Sequence, residues 1–98
     1  MNKYVVILRD KVSDVIEDGL NRRHVAHLKK CSDEGKLFLC GPLIGHGGAM
    51  QILLAESKEE AENMIKLDPF VSEGFYRGYD IYWLLEANSE NNFLLKEE

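Results

Sequence analysis

Between Tyr4 and Leu8 the chain reads Tyr-Val-Val-Ile-Leu, an unbroken apolar run rich in β-branched residues. A run of that kind lacks the alternation of a half-exposed strand, so it predicts a strand buried in the middle of a sheet. Arg9-Asp10-Lys11 ends it with charge. A strand so placed needs neighbours at both edges and cover on its faces, and the rest of the chain must supply them.

The first cover is a helix expected from about Val15 to Glu34. Leu20, His24, His27, Leu28 and Cys31 recur at i, i+4, i+7, i+8 and i+11, the spacing of a buried stripe. Asp14, with Glu17 three residues on, suggests a capping box, and Gly35 stands where a helix C-cap glycine belongs. Gly19 weakens the first turn, so a start nearer Leu20 is also open. Lys36 to Cys40 is the second strand, closed by Gly41-Pro42. Pro42 has no N–H to donate and belongs at a strand end or edge. Gly45-His46-Gly47-Gly48 reads as a turn or flexible loop, joining a third strand, Ala49 to Glu56, as a hairpin. Ser57-Lys58-Glu59-Glu60 is a capping box before a second helix to about Leu67, with Ala61, Met64, Ile65 and Asp68 on one face. Pro69 stops that helix, because the residue before proline avoids the α region. Phe70 to Glu73 adds one turn ended by Gly74, and Phe75 to Leu85 is the last strand.

The order is β-α-β-β-α-β, which predicts an α+β fold: a ferredoxin-like sandwich with one antiparallel sheet and both helices on one face. The other face carries aromatic and aliphatic residues with nothing to cover them. Pairing two such faces gives a homodimer, a dimeric α+β barrel. Residues 1–86 form a single domain and 87–98 a polar, acidic extension. Phe93-Leu94-Leu95 in that extension reads either as part of a frayed end or as an arm packed on a partner.

Twelve Lys and Arg against seventeen Asp and Glu give a net charge of −5. That balance argues against nucleic acid as a partner and against docking on anionic membrane by charge. No apolar run approaches the roughly 18–20 residues of a membrane span, and the N-terminus lacks the apolar segment of a signal peptide. Cys31 and Cys40 make neither a CxxC pair nor a zinc spacing, so two reduced thiols in a cytoplasmic protein are expected.

Two of the five stripe positions are histidines. An inward-facing histidine must satisfy both ring nitrogens, and burial favours its neutral form. A neutral imidazole near pH 7 serves first as general base and then as general acid. Read alone, either histidine is equally a hydrogen-bonded core residue. Asp68, locked before Pro69, reads alone as a cap for the Phe70 to Glu73 turn. With both helices on one sheet face, however, His24 and Asp68 can meet near the helix seam. A carboxylate paired with an imidazole fixes its tautomer and stabilises the imidazolium formed by proton transfer. Asp10 is either a polar strand terminus or a second carboxylate at the site. The Gly45 to Gly48 loop has neither the lysine of a P-loop nor a following helix, so no nucleotide cofactor is expected. His24 and His27 offer two points for a metal but no third ligand, so no metal and no organic cofactor are expected. His46 is expected in solvent, and Arg22 and Arg23 either there, in ion pairs across a dimer, or drawing in an anionic substrate.

At these residues the chain resembles the YCII-related (YciI-like) domain family, small dimeric proteins with a ferredoxin-like fold. The likeness extends from Tyr4 to about Trp83. It is carried by Arg9-Asp10-Lys11, His24-Val25-Ala26-His27-Leu28, Asp33-Glu34-Gly35-Lys36-Leu37, Cys40-Gly41-Pro42-Leu43 and Asp68-Pro69-Phe70-Val71 with Gly74. In that family a histidine and an aspartate are regarded as a proposed catalytic dyad. Counted back from Glu34-Gly35, the family histidine falls on His24, and the family aspartate on Asp68. Val25 stands where the family often has leucine, and the extension beyond Leu85 departs from the usual short form. Some relatives look like enzymes that eliminate a halide or rearrange a ring lactone.

The expectation is a small lyase or isomerase, dehydrochlorinase-like or muconolactone-isomerase-like. His24 moves a proton on a small organic substrate and Asp68 orients it. Asp10, Phe70, Phe75 and Tyr76 are expected to border the substrate. The rival reading is a non-catalytic small-molecule-binding or dimerisation module in which the pair is structural.

Overall fold

The computed structural model of the protein describes residues 1–96. Strand β1 (Asn2–Lys11) is followed by helix α1 (Asp18–Asp33) and strands β2 (Leu37–Pro42) and β3 (Ala49–Ala55). Helix α2 (Lys58–Leu67), a single turn α3 (Pro69–Ser72) and strand β4 (Tyr76–Leu84) complete the domain. The sheet order is β2-β3-β1-β4 and every neighbouring pair is antiparallel. β1 is therefore an inner strand, as its apolar run requires, and Pro42 ends an edge strand.

The run is not buried on both faces, however. Tyr4, Val6 and Leu8 are buried, whereas Val5 and Ile7 are half-buried. The alternation comes from the fold, because the core forms on one side of the sheet. Tyr4, Val6, Leu8, Leu53 and Ala55 pack there with Cys31 of α1, Ala61 and Ile65 of α2, and Phe70 of α3. Among the described residues, no helix covers the opposite face. Phe38, Leu39, Tyr82 and Leu84 are exposed, and Lys3 Nζ sits 5.0 Å from the centre of the Phe38 ring.

Both helix starts are set by side-chain oxygens. The α1 cap is Glu17 rather than Asp14: its carboxylate accepts from Gly19 N at 3.0 Å and Leu20 N at 3.2 Å. Asp14, outside the helix, pairs instead with Lys11 at 3.2 Å. At α2, Ser57 Oγ accepts from Glu60 N at 3.1 Å, while the Glu60 carboxylate reaches back to Glu56 N at 3.2 Å, one residue before the cap.

The β2–β3 hairpin closes through Leu43 N donating to Gly48 O at 2.9 Å. Gly48 lies so close to β1 that a Cβ there would collide with the Leu8 carbonyl oxygen. That contact locks the hairpin turn against the end of β1. Beyond β4, Asn88 caps a short 3-10 helix (Ser89–Leu94), after which Leu95 and its neighbours Phe93 and Leu94 are exposed. No helix among the described residues is long and apolar enough to cross a membrane.

Candidate active site

Asp68 is the joint between α2 and α3. Pro69 holds it in extended backbone, at φ −66° and ψ 123°, so the chain turns there and the carboxylate points back under both helices. The residue is wholly buried, yet its carboxylate accepts three hydrogen bonds. Oδ1 accepts from Phe70 N at 2.9 Å and pairs with His24 Nδ1 at 2.7 Å. Oδ2 accepts from Gln51 Nε2 at 2.7 Å. Asp68 therefore makes both expected contacts at once, because one oxygen caps α3 and meets the imidazole. Burial pushes the carboxyl's pKa up, but the hydrogen bond and charge of His24 and the donors of Phe70 and Gln51 outweigh it, leaving Asp68 below its ordinary value. It is ionised at neutral pH.

His24 comes from the inward stripe of α1. A carboxylate at Nδ1 requires a proton there, so in the neutral ring Nε2 carries a lone pair. Phe70 lies flat on the imidazole, with ring centroids 3.6 Å apart and planes 8° from parallel. His24 and Phe70 border a cleft of about 300 Å³. Its other walls are mainly apolar, including Ile16, Val25 and Leu28 on the α1 side and Pro42 and Met50 on the hairpin side. A cleft of that size suits a ligand of about one substituted ring, since about 150 Å³ holds benzene.

Of the residues expected to border the substrate, Phe70 lines the cleft. Phe75 and Tyr76 do not line the cleft; they are buried behind Phe70, with ring centroids 5.2 and 5.9 Å from its own. An aromatic run at a strand start goes to the core when the preceding turn tucks it under a helix. Asp10 is also elsewhere. It lies exposed at the end of β1 with φ 60°, its carboxylate 2.9 Å from Arg9, beside a shallow groove that includes His46 and Gly48.

His27 shares the stripe but not the cleft. Its Nε2 lies 3.6 Å from Cys31 Sγ. Burial lowers the pKa of His27 and raises that of Cys31, so a neutral thiol meets a neutral ring. His46 Nδ1 accepts from Gly48 N at 3.2 Å. Arg23 grips Glu73 with two hydrogen bonds, at 2.9 and 2.7 Å, tying α1 to the end of α3. Among the described residues, no three or more His, Cys, Asp or Glu side chains gather as a metal ion would need.

Sequence reasoning missed Gln51, which is 2% exposed and holds Asp68. The signal was present: in β3 the inward positions are Ala49, Gln51, Leu53 and Ala55, and an amide in that phase is an anomaly demanding a buried partner.

Fold and site together define a small α+β domain with an imidazole–carboxylate pair beneath a one-ring cleft. The YCII-related domain model matches residues 2–85, and the chain belongs to that family. It is 34% identical over 85 residues to the protein YciI of Escherichia coli O6:H1, covering 74% of this chain and 86% of the relative. The same figures hold for YciI of Shigella flexneri. Among solved structures it is similar to 5-chloro-2-hydroxyhydroquinone dehydrochlorinase of Burkholderia phenoliruptrix AC1100, in complex with 2,5-dihydroxybenzoquinone. That likeness has a TM-score of 0.65 at 19% identity and covers 90% of this chain and 97% of the other. At that identity it speaks for the fold.

Proposed function

We propose that this chain is a small enzyme of lyase or isomerase type, with His24 as general base and general acid and Asp68 as its positioning partner. What supports the reading is the 2.7 Å contact between His24 Nδ1 and the buried Asp68 carboxylate, at the wall of a cleft sized for a single ring. Nε2 takes a proton from a small organic substrate; the resulting imidazolium is held by the Asp68 charge and by the face of Phe70. In a lyase the proton leaves together with an anionic leaving group. In an isomerase His24 returns it to another atom. No organic cofactor enters the scheme.

A second reading has its own observation. Asp68 also caps α3, so the pair is equally explained as a structural hydrogen-bonded corner in a binding or dimerisation module. The compound named for the structural neighbour, 5-chloro-2-hydroxyhydroquinone, is the first test substrate, with chloride release as the readout. General acid–base catalysis contributes about 10²–10⁴-fold, so His24→Ala loses that much turnover while retaining its fold. If His24→Ala only lowers the melting temperature and the wild-type protein turns over neither this compound nor ring lactones, the module reading stands.

We also propose that a second copy of the chain covers the open sheet face, since Phe38, Leu39, Tyr82 and Leu84 leave it apolar and exposed. Sedimentation equilibrium reporting twice the chain mass supports this, and Tyr82→Glu then yields monomer. The unpaired thiols favour a cytoplasmic setting.

A further inference from the structure

Gln51 joins the buried charge to the cleft. It borders the cleft together with His24 and Phe70, and its Nε2 donates to Asp68 Oδ2 at 2.7 Å. That bond removes the ambiguity of an amide. Turned over, the carboxamide would set its carbonyl oxygen against an ionised carboxylate, two acceptors with no proton between them. Oε1 is thereby fixed as an acceptor. It makes no hydrogen bond within the protein among the described residues, and no side-chain nitrogen or oxygen among them is both sealed from solvent and unpartnered. Oε1 therefore keeps its access through the cleft, the opening that Gln51 borders.

His24 presents the same polarity. With its Nδ1 proton committed to Asp68, the neutral ring offers a lone pair at Nε2. The cleft thus carries two fixed acceptors, both oriented by one carboxylate. Among the described residues no Lys or Arg lines it, and Arg23, next to His24 in the chain, is bound to Glu73. The negative charge of Asp68 lies directly behind. Asn21 at the cleft offers an anionic group only a neutral amide, while two lone pairs and a carboxylate oppose it and no Lys or Arg among the described lining residues receives it.

We infer that Gln51 is a specificity-determining residue of the site, and that its Oε1 accepts a hydrogen bond from a neutral, single-ring substrate bearing a second O–H or N–H donor besides the proton taken by His24. The inference rests on the proposed role of the cleft as a substrate site and narrows the substrate class to neutral polyhydroxy or aminohydroxy rings over carboxylates and phosphates. Discrimination works by omission. A ring lacking the second donor leaves Oε1 buried without a partner, which a site built to accept a hydrogen bond does not tolerate.

The test uses three probes on the full chain: hydroquinone, its donor-free analogue 1,4-dimethoxybenzene, and benzoate. Binding is followed by the NMR signals of the Gln51 side-chain carboxamide and the His24 imidazole. Hydroquinone is expected to saturate both sets of signals and to bind at least about tenfold more tightly than either other probe, as one well-formed hydrogen bond provides. In Gln51→Leu the preference for hydroquinone over dimethoxybenzene collapses to within about threefold, while binding of the donor-free ring is retained. A merely structural Gln51 would weaken both rings equally, and that result overturns the inference, as does benzoate binding as tightly as hydroquinone. If Gln51→Leu fails to fold, the wild-type data still decide. Saturation by hydroquinone that leaves the Gln51 carboxamide unmoved, or no saturation at all, rejects the assignment. The dyad reading is judged separately by chloride release and His24→Ala, so either idea can fail without the other.

Discussion

Phe70 and His24 lie face to face, their ring centroids 3.6 Å apart, and the same Asp68 oxygen that meets the imidazole also accepts the Phe70 backbone N–H at 2.9 Å. One carboxylate oxygen thus positions both members of the stack. The geometry fixes the imidazole plane, keeps Nδ1 on Asp68, and places the electron-rich face of Phe70 against a ring that is cationic whenever it is protonated. Phe70→Leu keeps the backbone cap but removes the flat face. It is expected to cost about 1–2 kcal/mol of stability, less than the roughly 3–5 kcal/mol of truncation to alanine, and to lower turnover more than ligand affinity. Urea unfolding and steady-state kinetics check it.

Asp68→Asn is the sharpest test of the corner. The amide oxygen can still accept from both Phe70 N and His24 Nδ1, but the new NH2 group faces the Gln51 Nε2 donor and the negative charge is gone. Removing one partner from a buried charge-assisted network costs about 3–5 kcal/mol, so a large fall in unfolding free energy is expected. His24 keeps an acceptor at Nδ1, so nitrogen-15 imidazole shifts are expected to show the Nδ1–H tautomer retained although stability falls. Loss of the single tautomer would show that the amide oxygen has turned away from His24.

Acid should erode stability in two windows. His27 has a lowered pKa in the folded protein, chiefly through burial, so below about 6.5 the unfolded chain binds the extra proton and folding weakens. Asp68 is also depressed. Its contribution is complete above the unfolded value near 4 and is lost as pH falls through its lower folded value. His27→Gln is expected to flatten the first slope and leave the second, as read from melting temperatures between pH 8 and pH 2.

Gly48→Ala should be among the most damaging single-methyl changes. Its Cβ meets the Leu8 carbonyl oxygen, which is backbone and cannot swing aside. The hairpin turn has to lift off β1, so a loss in the range of about 1–3 kcal/mol typical of overpacking is expected, with weaker ligand binding because the hairpin forms one wall of the cleft. Denaturant titration and ligand titration read the two effects.

Asp10→Gly should behave in the opposite way. Asp10 holds φ 60°, a left-handed conformation that glycine adopts without cost, and lies outside the cleft. Stability is expected to stay level or rise by up to about 1 kcal/mol, with turnover unchanged. A marked loss of turnover would return Asp10 to the site.

The periodic features were legible in the residues alone. The order of strands and helices follows from the apolar runs, the Ser57 cap, and Pro42 and Pro69, all of which act over a few positions of chain. The α1 stripe bearing His24, His27 and Cys31 faces inward as its spacing requires, and the family match spans it. Helix starts were less legible: Glu17, not Asp14, caps α1, because a cap depends on which oxygen reaches the free amides.

Tertiary structure decided the rest. Spacing cannot say that α1 docks against the corner between α2 and α3, so it left the His24–Asp68 contact open, along with a structural alternative for each residue. It could not separate Phe70, which lines the cleft, from Phe75 and Tyr76 behind it, since all three have similar local patterns. Gln51 entered only when β3 was laid beside β1 and its inward phase met Asp68. Short-range patterns set which face of an element is apolar, whereas a site depends on which faces of distant elements are pressed together, and only the packed core determines that.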